Sequence, residues 1–389
     1  MTGEQLSLRA VYMRGGTSRA LFFRREDLPP AVGPHDNPEW NAIFCSAIGA
    51  PDPYGRQLDG VGGGVSSLSK VAVIGPPTRP DADVDYTFAQ VAIKEPVVGY
   101  RGNCGNISSA VGPFAVDEGL VAAEGDTACV RIHNTNTKKL IVSRFPIEEG
   151  MAAVDGDFVL PGVAGSGAPI RLEFTDPGGA GTGKLLPSGA PCDVLEVPGL
   201  GSIEASLIDA ANPCVFVAAE SLGATGIEMP DEIDADPALL AKFEAIRRAA
   251  SIRRGLAATD AEAGRITGIP KVAMVSAPRT AKTLARETVE ADAMDIAARM
   301  ISVGQPHRAM PLTGAMCLAV ATRIEGSIPH RLARPPRMPT DDIRIAQPSG
   351  LTVVAATVRR NGVWIADNAV VYRTARRLMD GMVYYRAPR

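Results

Sequence analysis

Three segments of this chain occur twice in the same order, and that repetition limits the fold more than any local propensity does. Leu6 to Phe23 reads as strand, glycine turn, strand: Leu8, Ala10 and Tyr12 alternate, Arg14-Gly15-Gly16-Thr17-Ser18 breaks the pattern, and Ala20 to Phe23 resumes it. Gly201 to Val217 repeats this plan around Asp209-Ala210-Ala211-Asn212-Pro213. Arg101 to Gly112, a glycine turn feeding a helix, has its counterpart in His307 to Val320. The strands around His133, Ala128 to Thr137 and Leu140 to Phe145, are matched by Asp342 to Val354. Such ordered recurrence marks a duplicated domain, and 389 residues suffice for two units with separate cores. If the halves face each other, two helix N-termini converge on one cleft.

Composition removes several classes of function. A hydrophobic share of 46% and a charged share of 21% are those of an ordinary globular protein. A formal charge of −3 and an aromatic share of 5% argue against a nucleic-acid or polyanion partner. The first twelve residues lack a basic head before an apolar run, and no segment holds about 18 uninterrupted apolar residues, so a cytoplasmic protein without a membrane partner is expected. Six scattered cysteines without a Cys-x-x-Cys pair, and four dispersed histidines, suggest neither a disulfide scaffold nor a metal site.

Two stretches carry chemistry. In Arg101-Gly102-Asn103-Cys104-Gly105-Asn106, one cysteine sits at the mouth of the expected helix, where unpaired N–H groups and the helix dipole favour negative charge. That position suits a reactive thiol or a bound carboxylate; a buried structural cysteine in a glycine turn fits the same residues equally well. The glycine-rich run Asp59 to Ser69 delivers Lys70 where loop becomes the apolar strand Val71 to Ile74. A lysine held partly out of water loses its proton more easily and becomes a candidate base, against the commoner solvated surface lysine. The Arg14 to Ser18 turn offers N–H groups, two hydroxyls and a guanidinium that together could receive a carboxylate, though an ordinary hairpin turn explains it too.

Other segments are architectural. Pro38 to Ile48 is expected as a short helix, and Asp236 as the cap of another opened by Pro237, whose Arg247, Arg248, Arg253 and Arg254 read as a solvated face. Glu287 to Ile301 is a further helix candidate. Gly178 to Lys184 approaches a phosphate loop, but Leu185 replaces the magnesium-binding hydroxyl and Pro187 interrupts the helix such a loop must open, so nucleotide binding is rejected there.

Tyr12-Met13-Arg14-Gly15-Gly16-Thr17-Ser18, the approach to Lys70, Asn103-Cys104-Gly105-Asn106 and the closing Thr374-Ala375-Arg376-Arg377-Leu378-Met379-Asp380-Gly381 together resemble the PrpF family over essentially the whole chain. The resemblance implies an α+β, diaminopimelate epimerase-like fold: two pseudo-symmetric domains, each a curved sheet around a central helix, with the active site in the cleft between them. The expected domains are 1–190, to which 375–389 returns, and 191–374. The resemblance also implies a cofactor-independent isomerase of unsaturated di- and tricarboxylates, of the 2-methylaconitate cis-trans kind or, alternatively, a 4-oxalomesaconate tautomerase or allylic isomerase. It assigns proton transfer to Lys70 and Cys104. Substrate contacts are implied near Ser18, Asn103, Gly105, Asn106, Lys271, Met310, Thr313 and Ser349, and a homodimer is suggested. Arg19, Val65 and Gln347 depart from the residues usual in the family.

Proton chemistry fits these residues on its own terms. Moving a double bond requires taking a proton from carbon conjugated to a carboxylate, and the developing enolate needs oriented donors such as helix N-termini and glycine amides. Lys70 as base and Cys104 as proton donor or orienting group supply both parts. A two-thiol racemase is the first rival; the second-half position matching Cys104 falls at about Thr313, with Cys317 a turn further on. A non-catalytic tricarboxylate-binding accessory protein would need the same pocket but no lysine beside a thiol.

Overall fold

The computed structural model describes residues 5–386 except 32, 34–36, 101–102, 267, 303 and 339–340, so Arg101 and Gly102 lie outside the described residues. The chain divides into two compact units, residues 1–174 with 372–389, and residues 175–371.

In the first unit, β1 (Gln5–Gly15) and β2 (Ser18–Arg24) form the expected hairpin, with Gly15 paired to Ser18. Helix α1 (Pro38–Ile48) follows, opened by its proline. Then β3 (Lys70–Gly75) pairs parallel with β2, and β4 (Val84–Val91) pairs antiparallel with β3. Helix α2 (Gly105–Asp117) leads to β5 (Thr127–Asn134), parallel to β4, and β6 (Lys139–Glu148), antiparallel to β5.

Strand alternation sorts the side chains of this sheet between two faces. Val71 and Val73 lie opposite Ala89 and Thr87, and the two valines with Ala89 pack on Trp40, Ile43 and Phe44 of α1. Lys70, Ala72 and Ile74 lie opposite Gln90, Phe88 and Tyr86 on the other face. That face is covered by α2, whose Phe114 ring lies 5.3 Å from Phe22, the strand neighbour of Ala72. Residues 107–116 of α2 are buried on every side, as for a helix that a sheet wraps. Each fully buried Phe stabilises by about 1.5–3 kcal/mol relative to an exposed one.

The second unit repeats the pattern of parallel and antiparallel pairing. Strand β7 (Asp193–Val197) precedes the hairpin of β8 (Gly201–Ala210) and β9 (Asn212–Ala218). Helix α3 (Pro237–Arg253) connects to β10 (Lys271–Ser276), parallel to β9, and β11 (Ile296–Ser302) is antiparallel to β10. Helix α4 (Leu312–Thr322) leads to β12 (Ile343–Gln347), parallel to β11, and β13 (Gly350–Asn361), antiparallel to β12. Strand β14 (Val363–Arg373) pairs with β13, and β15 (Ala375–Arg386), itself part of the first unit, pairs along the whole of β1.

Two sequence expectations fail here for identifiable reasons. Glu287 to Ile301 is not a helix: Thr288–Val289 is a short strand and Ile296 onward is β11, buried between β10 and β12. Ile296 to Ile301 is apolar except for Arg299, and so short a run reads alike as buried helix or buried strand until tertiary pairing decides. Arg247, Arg248 and Arg253 of α3 and its C-cap Arg254 are not one solvated face. Arg247 and Arg254 fall seven residues apart beside Phe243 and Ala250 and are 5% and 7% exposed. Arg247 pairs with Glu244 and donates to the Ile266 and Ala263 carbonyls, while Arg254 donates to those of Ile208 and Cys214. Asp236 does cap α3, accepting from the Leu239 N–H at 2.9 Å.

The β1–β2 turn is clamped to the tip of α2. A Cβ on Gly15 would lie 2.6 Å from the Asn106 carbonyl oxygen and 3.1 Å from the Ile107 Cα, backbone atoms that cannot swing aside. Gly15→Ala is therefore expected to lower stability by about 1–3 kcal/mol, the usual cost of overpacking, read as a reduced Tm.

Candidate active site

Lys70 is the first residue of β3 and only 7% exposed. The glycine-rich loop that delivers it is organised by Gln57, whose Oε1 accepts from the Gly64 N–H at 2.9 Å and the Ser69 hydroxyl at 2.6 Å. The Lys70 Nζ donates to Gln90 Oε1 and stands 5.2 Å from the centre of the Phe88 ring. Gln90 cannot turn its amide round, because its Nε2 donates to the Ser66, Ser69 and Val91 carbonyls. Burial lowers the Lys70 pKa, and the nearby Cys104 partly opposes that by favouring the ammonium. Lysine and thiol are thus within electrostatic reach of one another on the face covered by α2.

Cys104 is the N-cap of α2 and half-buried. The Cys104 side chain makes no capping bond, and among the described residues no side chain accepts from the first-turn N–H groups of Gly105, Asn106 and Ile107, which remain for a ligand. The flanking asparagines are fixed. Asn103 Oδ1 accepts from the Ser108 hydroxyl at 3.1 Å and from Asn134 Nδ2 at 3.4 Å, and Asn106 Nδ2 donates to Thr17 Oγ1 at 3.0 Å. Ser18 is 3% exposed beside the same turn. Beneath lies Tyr86, fully buried; burial first and Cys104 second push its phenol well above the ordinary value, against the nearby Ser108 hydroxyl, so it stays protonated. Lys70, Cys104, Asn103, Gly105, Asn106 and Ser18 are therefore gathered around one end of the first sheet.

Arg14, expected to join the carboxylate-receiving turn, points elsewhere. Gly15 faces α2, so Arg14 faces away, and its Nη1 donates to the carbonyls of Gly16 and Thr374 and to Thr374 Oγ1, each at 3.0 Å. The guanidinium near the helix tip is instead that of Arg373, whose Nε donates to Asn106 Oδ1 at 3.2 Å. Neither Arg373 nor Gln90 stands out in the sequence: Gln90 lies in an apolar-patterned strand, and Arg373 falls one residue before the Thr374 to Gly381 motif, at the end of another such strand. The near-phosphate loop is closed on itself, its Gly181 and Thr182 N–H groups bonding the Asp209 carboxylate at 2.9 and 2.6 Å.

In the second unit, Lys271 occupies the place of Lys70 in both strand registers. Lys70 pairs with Ala20 on β2 and Lys271 with Cys214 on β9; counting back from Gly75 opposite Asp85, and from Ser276 opposite Ala297, reaches the two lysines in five steps each. Burial lowers the Lys271 pKa as well, opposed by Cys214. His307 is held near pKa 4 by burial and by Lys271, so it is neutral at physiological pH. Gln347 Oε1 accepts from the Met310 and Ser349 N–H groups at 3.2 and 3.0 Å, and the Ser349 hydroxyl donates to the Arg308 carbonyl. These residues and Thr313 meet at the N-terminus of α4.

That helix differs from its counterpart in one respect. Its N-cap is Pro311, two residues before the expected Thr313, so no thiol stands where Cys104 does. Cys317 is fully buried, with its thiol donating to the Ile208 carbonyl at 3.5 Å. Among the described residues, the first unit thus sets Lys70 near a half-buried thiol at a helix N-terminus, whereas in the second Lys271 has His307 and the fully buried Cys214 beside it.

The family described as PrpF protein matches residues 5–386. The 2-methyl-aconitate isomerase of Shewanella oneidensis is 40% identical over 387 residues, covering 97% of both chains. The crystal structure of a methylitaconate-delta-isomerase superposes with a TM-score of 0.90 at 40% identity, covering 98% of this chain and 96% of the other. A hydroxyproline epimerase from Agrobacterium vitis shares the fold alone, with a TM-score of 0.52 at 12% identity over 98% of this chain and 94% of the other. The expected epimerase-like α+β fold is thus the observed one, and the chain belongs to the PrpF family.

Proposed function

We propose that this isomerase moves or isomerises a C=C bond in an unsaturated tricarboxylate by proton transfer, with 2-methylaconitate as the nearest substrate type. The observation that carries the reading is a buried, amide-held lysine within electrostatic reach of a cysteine at an uncapped helix N-terminus.

Lys70, as the free amine, takes a proton from carbon conjugated to a substrate carboxylate. The resulting carbanion is delocalised over the former double bond, so that bond gains single-bond character and can rotate, or it can accept the proton at the other end of the allylic system. The first-turn amides of α2 stabilise the enolate oxygen. Cys104 stands at the same helix tip, where it returns the proton or orients the intermediate. Ser18, Asn103, Gly105 and Asn106 bound the substrate in the first unit.

The reading is tested by proton NMR in deuterated buffer with a panel of unsaturated di- and tricarboxylates. Turnover with deuterium entering an allylic carbon is expected for one of them, and no exchange with any would end the proposal. Lys70→Ala should reduce kcat/KM by about a hundredfold to ten-thousandfold, the range for removing a general base; unchanged turnover would remove Lys70 from the mechanism.

The pH profile follows from the direction of the Lys70 shift. The base must be unprotonated, so kcat/KM should rise with pH through an inflection below the ordinary lysine value of 10.5. Gln90→Glu places a carboxylate against the ammonium and favours the charged form, so the inflection should move to higher pH. A profile that does not move would show that Lys70 is not the titrating group.

A further inference from the structure

Arg373 is a buried cation without an anion. It is 8% exposed, and among the described residues it makes no ion pair. Its Nε meets the amide oxygen of Asn106 at 3.2 Å and its Nη1 the Tyr372 carbonyl at 2.7 Å, both neutral acceptors. Taking a guanidinium out of water is costly unless a negative charge accompanies it, and burial here draws its pKa down to about 10. Asn106 is the second residue of α2, so the guanidinium lies against a helix tip that is itself positive and uncapped. Two positive features therefore meet, and no carboxylate of the described residues balances them.

We propose that Arg373 and the first-turn amides of α2 form a subsite that receives one carboxylate of the substrate. The assignment rests on the polycarboxylate reading above and adds to it the residue that matches the anion. The Asn106 and Tyr372 bonds hold the guanidinium plane in place through Nε and Nη1, leaving Nη2 to donate to a carboxylate oxygen. Because Asn106 also holds Thr17, the subsite is tied to the β1–β2 turn and keeps its shape before the substrate arrives. Arg373 acts by charge, so it should sort substrates by the number of carboxylates they carry.

The test is calorimetric binding to the full chain of citrate, a tricarboxylate with no double bond to move, and of succinate, a dicarboxylate. The parent should bind citrate more tightly than succinate. Arg373→Gln should weaken citrate by about tenfold or more, the worth of a charge-assisted hydrogen bond, with a smaller change for succinate, so that the preference contracts. Arg373→Lys should retain part of it, and millimolar guanidinium ion should restore citrate binding to Arg373→Gln. Absence of citrate binding by the parent, or an unchanged preference in an Arg373→Gln variant with native circular dichroism, overturns the subsite. So does an equal loss for both ligands that guanidinium does not rescue, which is what a purely structural arginine would give. Binding is read without turnover, so a failure of the Lys70 assay and a failure of this one are separable.

Discussion

The site depends on keeping one ammonium group out of water. Lys70 lies at the edge of a sheet face that α2 seals, and desolvation there draws its proton off more readily than in solvent. Three neighbours limit that tendency: the Gln90 carbonyl oxygen that accepts from Nζ, the Phe88 ring face, and the Cys104 sulfur. Burial alone would give a neutral, unpositioned amine. The neighbours fix where the nitrogen points and leave it able to gain a proton as well as to lose one, which a reversible isomerisation requires.

The two units show how a duplicated scaffold diverges at its helix tips. Strand registers keep Lys70 and Lys271 at equivalent places, since moving either by one residue would turn it to the opposite face. The helix caps carry no such constraint. Cys104 in one unit and Pro311 in the other serve equally to start a helix, yet proline has neither an acidic side chain nor an N–H. Chemistry is therefore asymmetric while the framework is not. A mechanism that draws on a matching thiol from each half has no second thiol to use at that cap.

Much of this was legible in the residues. The repeat, the Pro38–Ile48 helix, the Asp236 cap and the junction placing Lys70 at the start of a strand all have local causes, namely periodicity, capping chemistry and glycine loops. The site assignments themselves entered through the family resemblance. Gln90 and Arg373 were not visible, because what distinguishes them is a partner 20 or 267 residues away, and such contacts exist only after folding. Arg14 misled for the opposite reason: its motif is conspicuous, but alternation along β1 turns it away from the helix tip. The Ile296 run misled because burial on both sides erases the periodicity that separates strand from helix.

The alternation along Val84–Val91 has one more effect. Phe88 and Gln90 serve the lysine and Tyr86 lies by Cys104, while Asp85, on the other side, holds His133 at 2.8 Å and the Thr78 hydroxyl at 3.2 Å. One strand thus carries two independent polar assemblies back to back, and they are kept apart only by the parity of their positions. Substitutions at odd and even sites can vary separately, but a single inserted or deleted residue would exchange the two sets at once. In this segment, chain length constrains the enzyme more tightly than the choice of side chain at any one position.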